Sequence, residues 1–335
     1  MISDLISSLI DRSNLTSSEA RAAMGEILAG SASEAQMAAF LTALRMKGET
    51  AGELVAFAQA MRARAEPFWD GDAVAVVDTC GTGGDRSGTF NISTAAAFVA
   101  AGAGVRVAKH GNRSASSRCG SADVMEALGV DINLPIPRLR AAVLDVGIAF
   151  LFAQRFHLSM KHVGPVRSQL KIRTVFNLLG PLANPAGAQS QVVGVFSRNV
   201  QELMADGLVG VGVNHAFVVH GQDGVDEVSL SAPTWVVERN NGEARSFVIT
   251  PEEFGMESAP PEVLRGGDAP ENARIIESVL GGEKGPRRDV VLLNAAMAIV
   301  AGGASNRFKE ALRIAANSID SGAAMQRLKA LREWK

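Results

Sequence analysis

A short apolar run, residues 74–77, leads straight into Asp78-Thr79-Cys80-Gly81-Thr82-Gly83-Gly84-Asp85 and then into Thr89-Phe90-Asn91-Ile92-Ser93-Thr94 before an Ala-rich stretch. This reads as a buried strand, a glycine-rich loop and the opening of a helix. Glycines let backbone N–H groups approach an oxyanion closely, and a helix N-terminus adds free donors and the positive end of a dipole. A second apolar run, residues 105–108, feeds Lys109-His110-Gly111-Asn112-Arg113-Ser114-Ala115-Ser116-Ser117. Two anion loops at the ends of successive strands imply one ligand with more than one phosphate.

From residue 73 onward the pattern alternates strand and helix. Strands are expected at 73–78, 105–108, 147–152, 190–197 and 216–220, and helices at 92–103, 119–129, 137–146 and 200–212. The fold class is therefore α/β, a mostly parallel sheet whose ligand loops lie at strand C-terminal ends. Asn240-Asn241-Gly242 between two β-type runs predicts a hairpin, hence an antiparallel piece. The tail from residue 269 is expected to be helical.

The first 65 residues read differently. Three capping boxes, Thr16…Glu19, Ser31…Glu34 and Thr50…Glu53, announce helix starts. Met37, Phe40, Leu41 and Leu44, then Leu54, Phe57 and Met61, form apolar stripes at helical spacing. They exceed what a short helical segment buries alone, so a homodimer contact is expected there. Residues 67–72 form a breaker cluster and a linker. Residues 158–170 and 174–179 read as helical pieces that interrupt the strand–helix rhythm, the second stopping at Gly180-Pro181. The expected organisation is a smaller, discontinuous helical domain, 1–66 plus an inserted 158–185, beside an α/β domain of 73–157 and 186–335.

Bulk properties exclude some functions. The formal net charge is −2 and no apolar stretch is long enough to span a bilayer, which argues against nucleic-acid and membrane partners. Two cysteines, Cys80 and Cys119, make no disulfide framework; they suit small positions in tight loops and a reducing, cytoplasmic setting. No Walker A, HExxH or GxSxG pattern occurs, and Arg86 stands where a dinucleotide fingerprint needs glycine.

Asp226-Glu227 follows the strand at 216–220. An adjacent carboxylate pair is usually a solvated turn, but across from two anion loops it suits Mg²⁺, which takes oxygen ligands and bridges to phosphates. The five histidines show no zinc spacing. His110 and His157 fall in candidate site loops.

Taken together, Gly81 to Asp85, Asn91 to Thr94, Lys109 to Arg113, Arg173-Thr174-Val175-Phe176-Asn177-Leu178-Leu179-Gly180-Pro181-Leu182 and Asp226-Glu227 resemble the anthranilate phosphoribosyltransferase family over essentially the whole chain. The resemblance implies transfer of phosphoribosyl from phosphoribosyl diphosphate to the amine of anthranilate, releasing pyrophosphate, in tryptophan synthesis. It implies a fold shared with pyrimidine nucleoside phosphorylases, and a homodimer through the helical domain. A glutamine amidotransferase/anthranilate synthase subunit is a further partner it admits. Matched by position, Gly81, Gly84, Asp85, Thr89, Asn91, Ile92, Ser93, Thr94, the loop Lys109 to Ser117 (His110, Gly111, Asn112, Arg113, Ser114, Ala115 and Ser116 included) and Ser121 would bind phosphoribosyl diphosphate. Ser93, Asp226 and Glu227 would hold Mg²⁺. Gly81, Asn112 and Arg167 would contact anthranilate, with His110 and His157 along its approach. No acid or base is implied; Lys109, Arg167, Asp226 and Glu227 would act by position and charge. One departure stands out: His157-Leu158-Ser159-Met160-Lys161 replaces the family's usual His-Pro-Ala-Met-Lys. A nucleoside phosphorylase-like activity and a nucleic-acid-binding member of the fold are the alternatives. The carboxylate pair and the near-neutral charge oppose them.

Overall fold

The computed structural model describes residues 1–114 and 118–335. Four helices come first, α1 (Ile2–Ile10), α2 (Ser17–Leu28), α3 (Glu34–Lys47) and α4 (Ala51–Arg62). Two of the expected caps are present. Thr16 and Glu19 exchange hydrogen bonds at the start of α2, and Thr50 and Glu53 do so at α4. The third is displaced: α3 is capped by Ser33 with Gln36, whose Oε1 accepts the Ser33 N–H at 2.9 Å. Ser31 instead donates its N–H to the Glu26 carbonyl and closes the turn after α2. Both Ser31-x-x-Glu34 and Ser33-x-x-Gln36 satisfy the capping pattern; the backbone of the preceding turn selects the second.

The apolar stripes of these helices are not a surface. Met37, Phe40, Leu41, Leu44, Leu54, Phe57 and Met61 are all buried inside the chain. The expected dimer contact through these residues is therefore wrong. They pack with Val163, Val166, Val175, Phe176 and Leu179 from the interrupting segment, and with Val193, Val195, Ala216 and Val218 from one sheet face. The interrupting segment and the sheet supply the partner surface that the helices were thought to lack.

The sheet follows as β1 (Val77–Gly81), α5 (Ile92–Gly102), β2 (Val107–Gly111), α6 (Ser121–Ala127), α7 (Ile136–Ala141), β3 (Ile148–Phe152), α8 (Ala153–Phe156), α9 (Gly164–Leu170), α10 (Phe176–Leu182), β4 (Ser190–Gly194), α11 (Gln201–Gly210), β5 (His215–Gly221), β6 (Thr234–Asn240) and β7 (Glu243–Ile249). Helices α12 (Ala269–Leu280), α13 (Pro286–Ala301), α14 (Phe308–Asp320) and α15 (Ala323–Glu333) complete the chain. The strand order is β3-β2-β1-β4-β5-β6-β7, with β3 to β5 parallel and β6 and β7 antiparallel additions. The hairpin turns at Asn241 and Gly242, both with positive φ.

β1 and β2 lie further along the chain than their apolar runs. Pairing carries them to Gly81 and Gly111, because Gly81 pairs with Gly194 and Gly111 with Phe152. The expected helix at 137–146 ends as a π-helical turn, Ala142–Val146, and α10 runs through Pro181 rather than stopping at it. Residues 158–170 split into a 3₁₀ turn, Leu158–His162, and α9. No helix among the described residues is long and apolar enough to cross a membrane.

From β1 the chain builds outward through β2 to β3, then returns to β4 on the other side of β1. Strand order reverses between β1 and β4. In open α/β sheets the crevice beyond the strand C-termini at such a reversal is where ligands bind.

Candidate active site

The glycine loop leaves β1 at this reversal and is tied to β4 and β5. Thr82 donates its N–H to the Gly194 carbonyl at 2.8 Å, and the Phe196 N–H bonds Thr82 Oγ1 at 3.1 Å. Asp226, just past β5, accepts the Gly83 N–H at Oδ2, 2.9 Å. Its own N–H faces Asp85 Oδ2 at 3.4 Å. Glycine is required where these chains meet. A Cβ on Gly194 would sit 1.5 Å from the Asp226 carbonyl oxygen, and one on Gly81 would sit 2.7 Å from Asp226 Oδ2.

Glu227 reaches the other anion element. Its Oε1 accepts the Ser93 N–H at 3.1 Å, in the first turn of α5. Burial, then repulsion from Asp85, pushes the Asp226 carboxyl up to about 7. Burial, then repulsion from Asp226, pushes Glu227 up to about 8. Neither takes part in an ion pair among the described residues. Two half-buried carboxylates that repel each other, with Ser93 beside them, form an all-oxygen donor set that fits Mg²⁺. No three His, Cys, Asp or Glu side chains among the described residues enclose an ion alone. Water and ligand oxygens would complete the shell, as Mg²⁺ prefers.

The other expected ligands divide into those the fold presents and those it hides. Asn91 caps α5 and is braced by Asn272, which donates to its Oδ1 at 2.9 Å. Thr89 bridges to Arg265 beside Ser87. Ile92 and Thr94 turn their side chains into the core, so only their backbone faces the loop. Lys109, read as a loop cation, is a buried β2 residue. Its Nζ donates to the Thr79 carbonyl and lies 3.4 Å from Ser93 Oγ. It supports the floor of the cleft from inside. Arg113 is engaged by Asp123 and Glu126, at 2.9 Å and 2.5 Å. The Ser121 hydroxyl donates to the Asn112 carbonyl. Ser114 donates its N–H to Asp123. Ala115, Ser116 and Ser117 lie outside the described residues.

His157, where the interrupting segment begins, packs against His110, and Arg167 stands on α9 of the same segment. The two imidazoles pack edge to face with centroids 5.3 Å apart. His110 Nδ1 is paired with the Gly180 carbonyl and His157 Nε2 with the Ala183 carbonyl. Burial drives His110 down to about 3 and lowers His157 as well, so both are neutral at physiological pH. They offer flat, uncharged faces. Arg167 is half-buried with its guanidinium 5.5 Å above the Phe176 ring. No carboxylate pairs with it among the described residues, and burial lowers its pKa. A half-buried guanidinium without a counter-ion is a receptor for a carboxylate.

Three residues to which sequence reasoning gave no role complete the site. Asp78 is fully buried in β1 and accepts the His110 N–H at 3.1 Å. Asn184 bonds it from the far side at 2.8 Å. Arg173 donates to the Gly84 carbonyl and stacks 4.0 Å over Phe196. The signal for Asp78 was present: a charged residue inside an apolar strand is costly unless it is paired. Nothing in sequence spacing points to Asn184.

Residues 73–325 match the family model described as "Glycosyl transferase family, a/b domain", and residues 3–65 match "Glycosyl transferase family, helical bundle domain". An anthranilate phosphoribosyltransferase of Solibacter usitatus is 51% identical over 97% of this chain and 96% of its own length. The crystal structure of anthranilate phosphoribosyltransferase from Thermus thermophilus superposes with a TM-score of 0.91 at 44% identity, covering 98% of each chain. The Saccharomyces cerevisiae enzyme, solved in complex with PRPP (phosphoribosyl diphosphate) and Mg, superposes at 0.89 with 30% identity, over 99% of this chain and 97% of that one.

Proposed function

The chain belongs to the anthranilate phosphoribosyltransferase family, and from that premise we propose how its cleft performs the reaction. The enzyme transfers the phosphoribosyl group of phosphoribosyl diphosphate to the amine of anthranilate, giving N-(5-phosphoribosyl)anthranilate and pyrophosphate, a step of tryptophan biosynthesis. The observation that carries the assignment of roles is the convergence of Asp226 on the Gly83 amide and Glu227 on the first turn of α5.

The diphosphate lies along the glycine loop from Gly81 to Asp85 and on the amides of Asn91 to Thr94. The ribose 5-phosphate meets the second loop, from Asn112 through Ser114 to Ser121. Ser93, Asp226 and Glu227 would hold Mg²⁺, which would supply positive charge against the leaving diphosphate. Anthranilate enters along the packed pair His110 and His157, its carboxylate on Arg167 and its ring near Asn112 and Gly81. The arylamine is unprotonated at neutral pH, because its lone pair is delocalised into the ring. No general base is needed. Neutral histidines neither repel the aromatic ring nor protonate the amine.

Catalysis is then positioning and electrostatics. The buried Lys109 stiffens the floor beneath the reacting carbon. C1 of the ribose separates from the diphosphate oxygen as positive charge develops on the ring, the amine adds from the opposite face with inversion, and the strongly acidic arylammonium so formed gives its proton to water or to the departing diphosphate. Movement of residues 1–66 and 158–185 against the α/β part brings the amine to that carbon and excludes water.

A homodimer through the helical part is also part of this reading. Its contact falls to the exposed apolar residues Met1 and Ile10 at the two ends of α1 and Met46 on α3, not to the internal stripes.

Anthranilate fluorescence tests the activity. It falls on adding this chain only when phosphoribosyl diphosphate and Mg²⁺ are both present. Loss without phosphoribosyl diphosphate, or phosphate-dependent cleavage of a nucleoside, rejects the reading.

A further inference from the structure

A cavity of about 500 Å³ opens beside the glycine loop, lined by Arg45, Arg86, Ile172 and Arg173. The three guanidinium groups come from three separate elements: the last turn of α3, the glycine loop itself, and the turn before α10. Among the described residues, none of the three makes an ion pair. Arg173 is the anchored member, stacked on Phe196 and bonded to the Gly84 carbonyl. Arg45 and Arg86 are exposed and make no side-chain hydrogen bond among the described residues.

Arg86 carries a second, independent mark. Its φ is +62°, the left-handed region, in a loop where Gly83, Gly84 and Gly88 also have positive φ. A non-glycine residue there costs roughly 1–2 kcal/mol. Glycine would relieve that strain at no loss of loop shape. The only thing the arginine adds is a guanidinium aimed at the cavity that already holds two others. Strain kept at one position of a ligand loop is a reason to look for a role for its side chain.

Three guanidinium groups around one opening, none in an ion pair among the described residues and with only the Glu49 carboxylate acting on Arg45, favour a ligand of high negative charge. A monoanion such as an aromatic carboxylate gains little from three cations. A diphosphate, with several charges on adjacent phosphorus centres, engages all of them.

We propose that Arg45, Arg86 and Arg173 form a vestibular site that captures the diphosphate group of phosphoribosyl diphosphate before it enters the glycine loop. The vestibule rests on the phosphoribosyltransferase reading of the cleft and adds an entry step to it. Like-signed charges lining a cleft focus its field and accelerate oppositely charged ligands by about ten- to a thousandfold at low salt. Arg45 stands on α3, apart from the residues assigned to the reacting centre, and Arg86 follows Asp85 at the edge of the glycine loop and lines the cavity.

The test is the association rate of labelled phosphoribosyl diphosphate, measured by isotope trapping at several ionic strengths. The wild type, R86G, R86K and R45A/R86G are compared. R86G keeps the loop conformation, because glycine favours the observed φ. The rate should fall about three- to tenfold in R45A/R86G at low salt, with a shallower salt dependence. R86K should keep most of the wild-type rate. The KM for anthranilate should not change. An unchanged association rate in R45A/R86G overturns the proposal. A loss confined to anthranilate overturns it too and makes the cavity the entrance of the aromatic acid. A wild type that forms no product with both substrates fails the phosphoribosyltransferase reading itself; a wild type that turns over with salt-independent trapping fails only the vestibule.

Discussion

Asn184 donates its side-chain amide to Asp78 Oδ2 at 2.8 Å and so fastens the interrupting segment to β1. The other Asp78 oxygen accepts the His110 N–H. The Asn184 amide also bonds the Ala108 carbonyl at 2.9 Å. A single buried carboxylate thus sets β2 against the segment whose Gly180 and Ala183 carbonyls hold His110 and His157. Burial pushes Asp78 up to about 6, and the nearby Lys109 charge opposes that rise.

Asp78→Asn presents an amide N–H₂ to one of two donors and leaves it unpaired, at a cost of about 1–3 kcal/mol. The KM for anthranilate should rise about tenfold or more, with a smaller change for phosphoribosyl diphosphate. Steady-state kinetics with each substrate varied, alongside a thermal melt, checks this. Equal weakening of both substrates would mean that Asp78 only supports folding.

Arg167→Ala removes a half-buried cation from the acceptor side. A charge-assisted contact is worth roughly 1.5–3 kcal/mol, so the KM for anthranilate should rise about 10- to 150-fold. Lysine should restore only part, because it lacks the planar fork. A fall in kcat alone would reassign Arg167 to the transition state.

Gly194→Ala tests the carboxylate pair without touching it. The added methyl would meet the backbone of Asp226, not a flexible side-chain tip. Activity should collapse and the Mg²⁺ requirement move to higher concentration, while circular dichroism stays native. A normal Mg²⁺ titration in this variant would show that Asp226 does not set metal affinity.

Asp226→Asn with Glu227→Gln should separate stability from function. Both carboxyls are raised in the folded chain, so folding takes up protons and stability falls as pH rises from about 4 through about 7–8. Neutral amides remove that loss. At pH 8 without Mg²⁺ the double variant should melt higher than the wild type, yet be inactive and gain nothing from added Mg²⁺. A lower melting temperature would count against the repulsion.

His110 gives the opposite pH sign. Its pKa falls from 6.5 to about 3 on folding, so its contribution is complete above about 6.5 and is lost as pH drops. At pH 5 the loss is about 2 kcal/mol relative to pH 8. His110→Phe, which keeps a buried ring, should flatten this part of the stability profile measured by denaturant unfolding. An unchanged acid limb would place the titration elsewhere.

Local chemistry fixed much of this molecule before any tertiary contact. Strand, glycine loop and helix start are written at 74–94, because glycine, small polar residues and apolar runs have short-range preferences that neighbours seldom override. The Asn241-Gly242 hairpin and the caps at Thr16 and Thr50 are legible for the same reason. Tertiary structure decided the rest. Whether Met37 or Phe57 faces solvent, a partner or the chain itself depends on what packs against α3 and α4, and that surface arrives more than a hundred residues later. Lys109 reads as a loop cation until pairing with Phe150 extends β2 and turns its side chain inward. Asp78 and Asn184 stand 106 residues apart, and only the return of the chain to β4 makes them one site. Periodicity reports which side of an element is apolar. Which charged groups end up sharing one buried volume depends on long-range closure, and no local pattern encodes it.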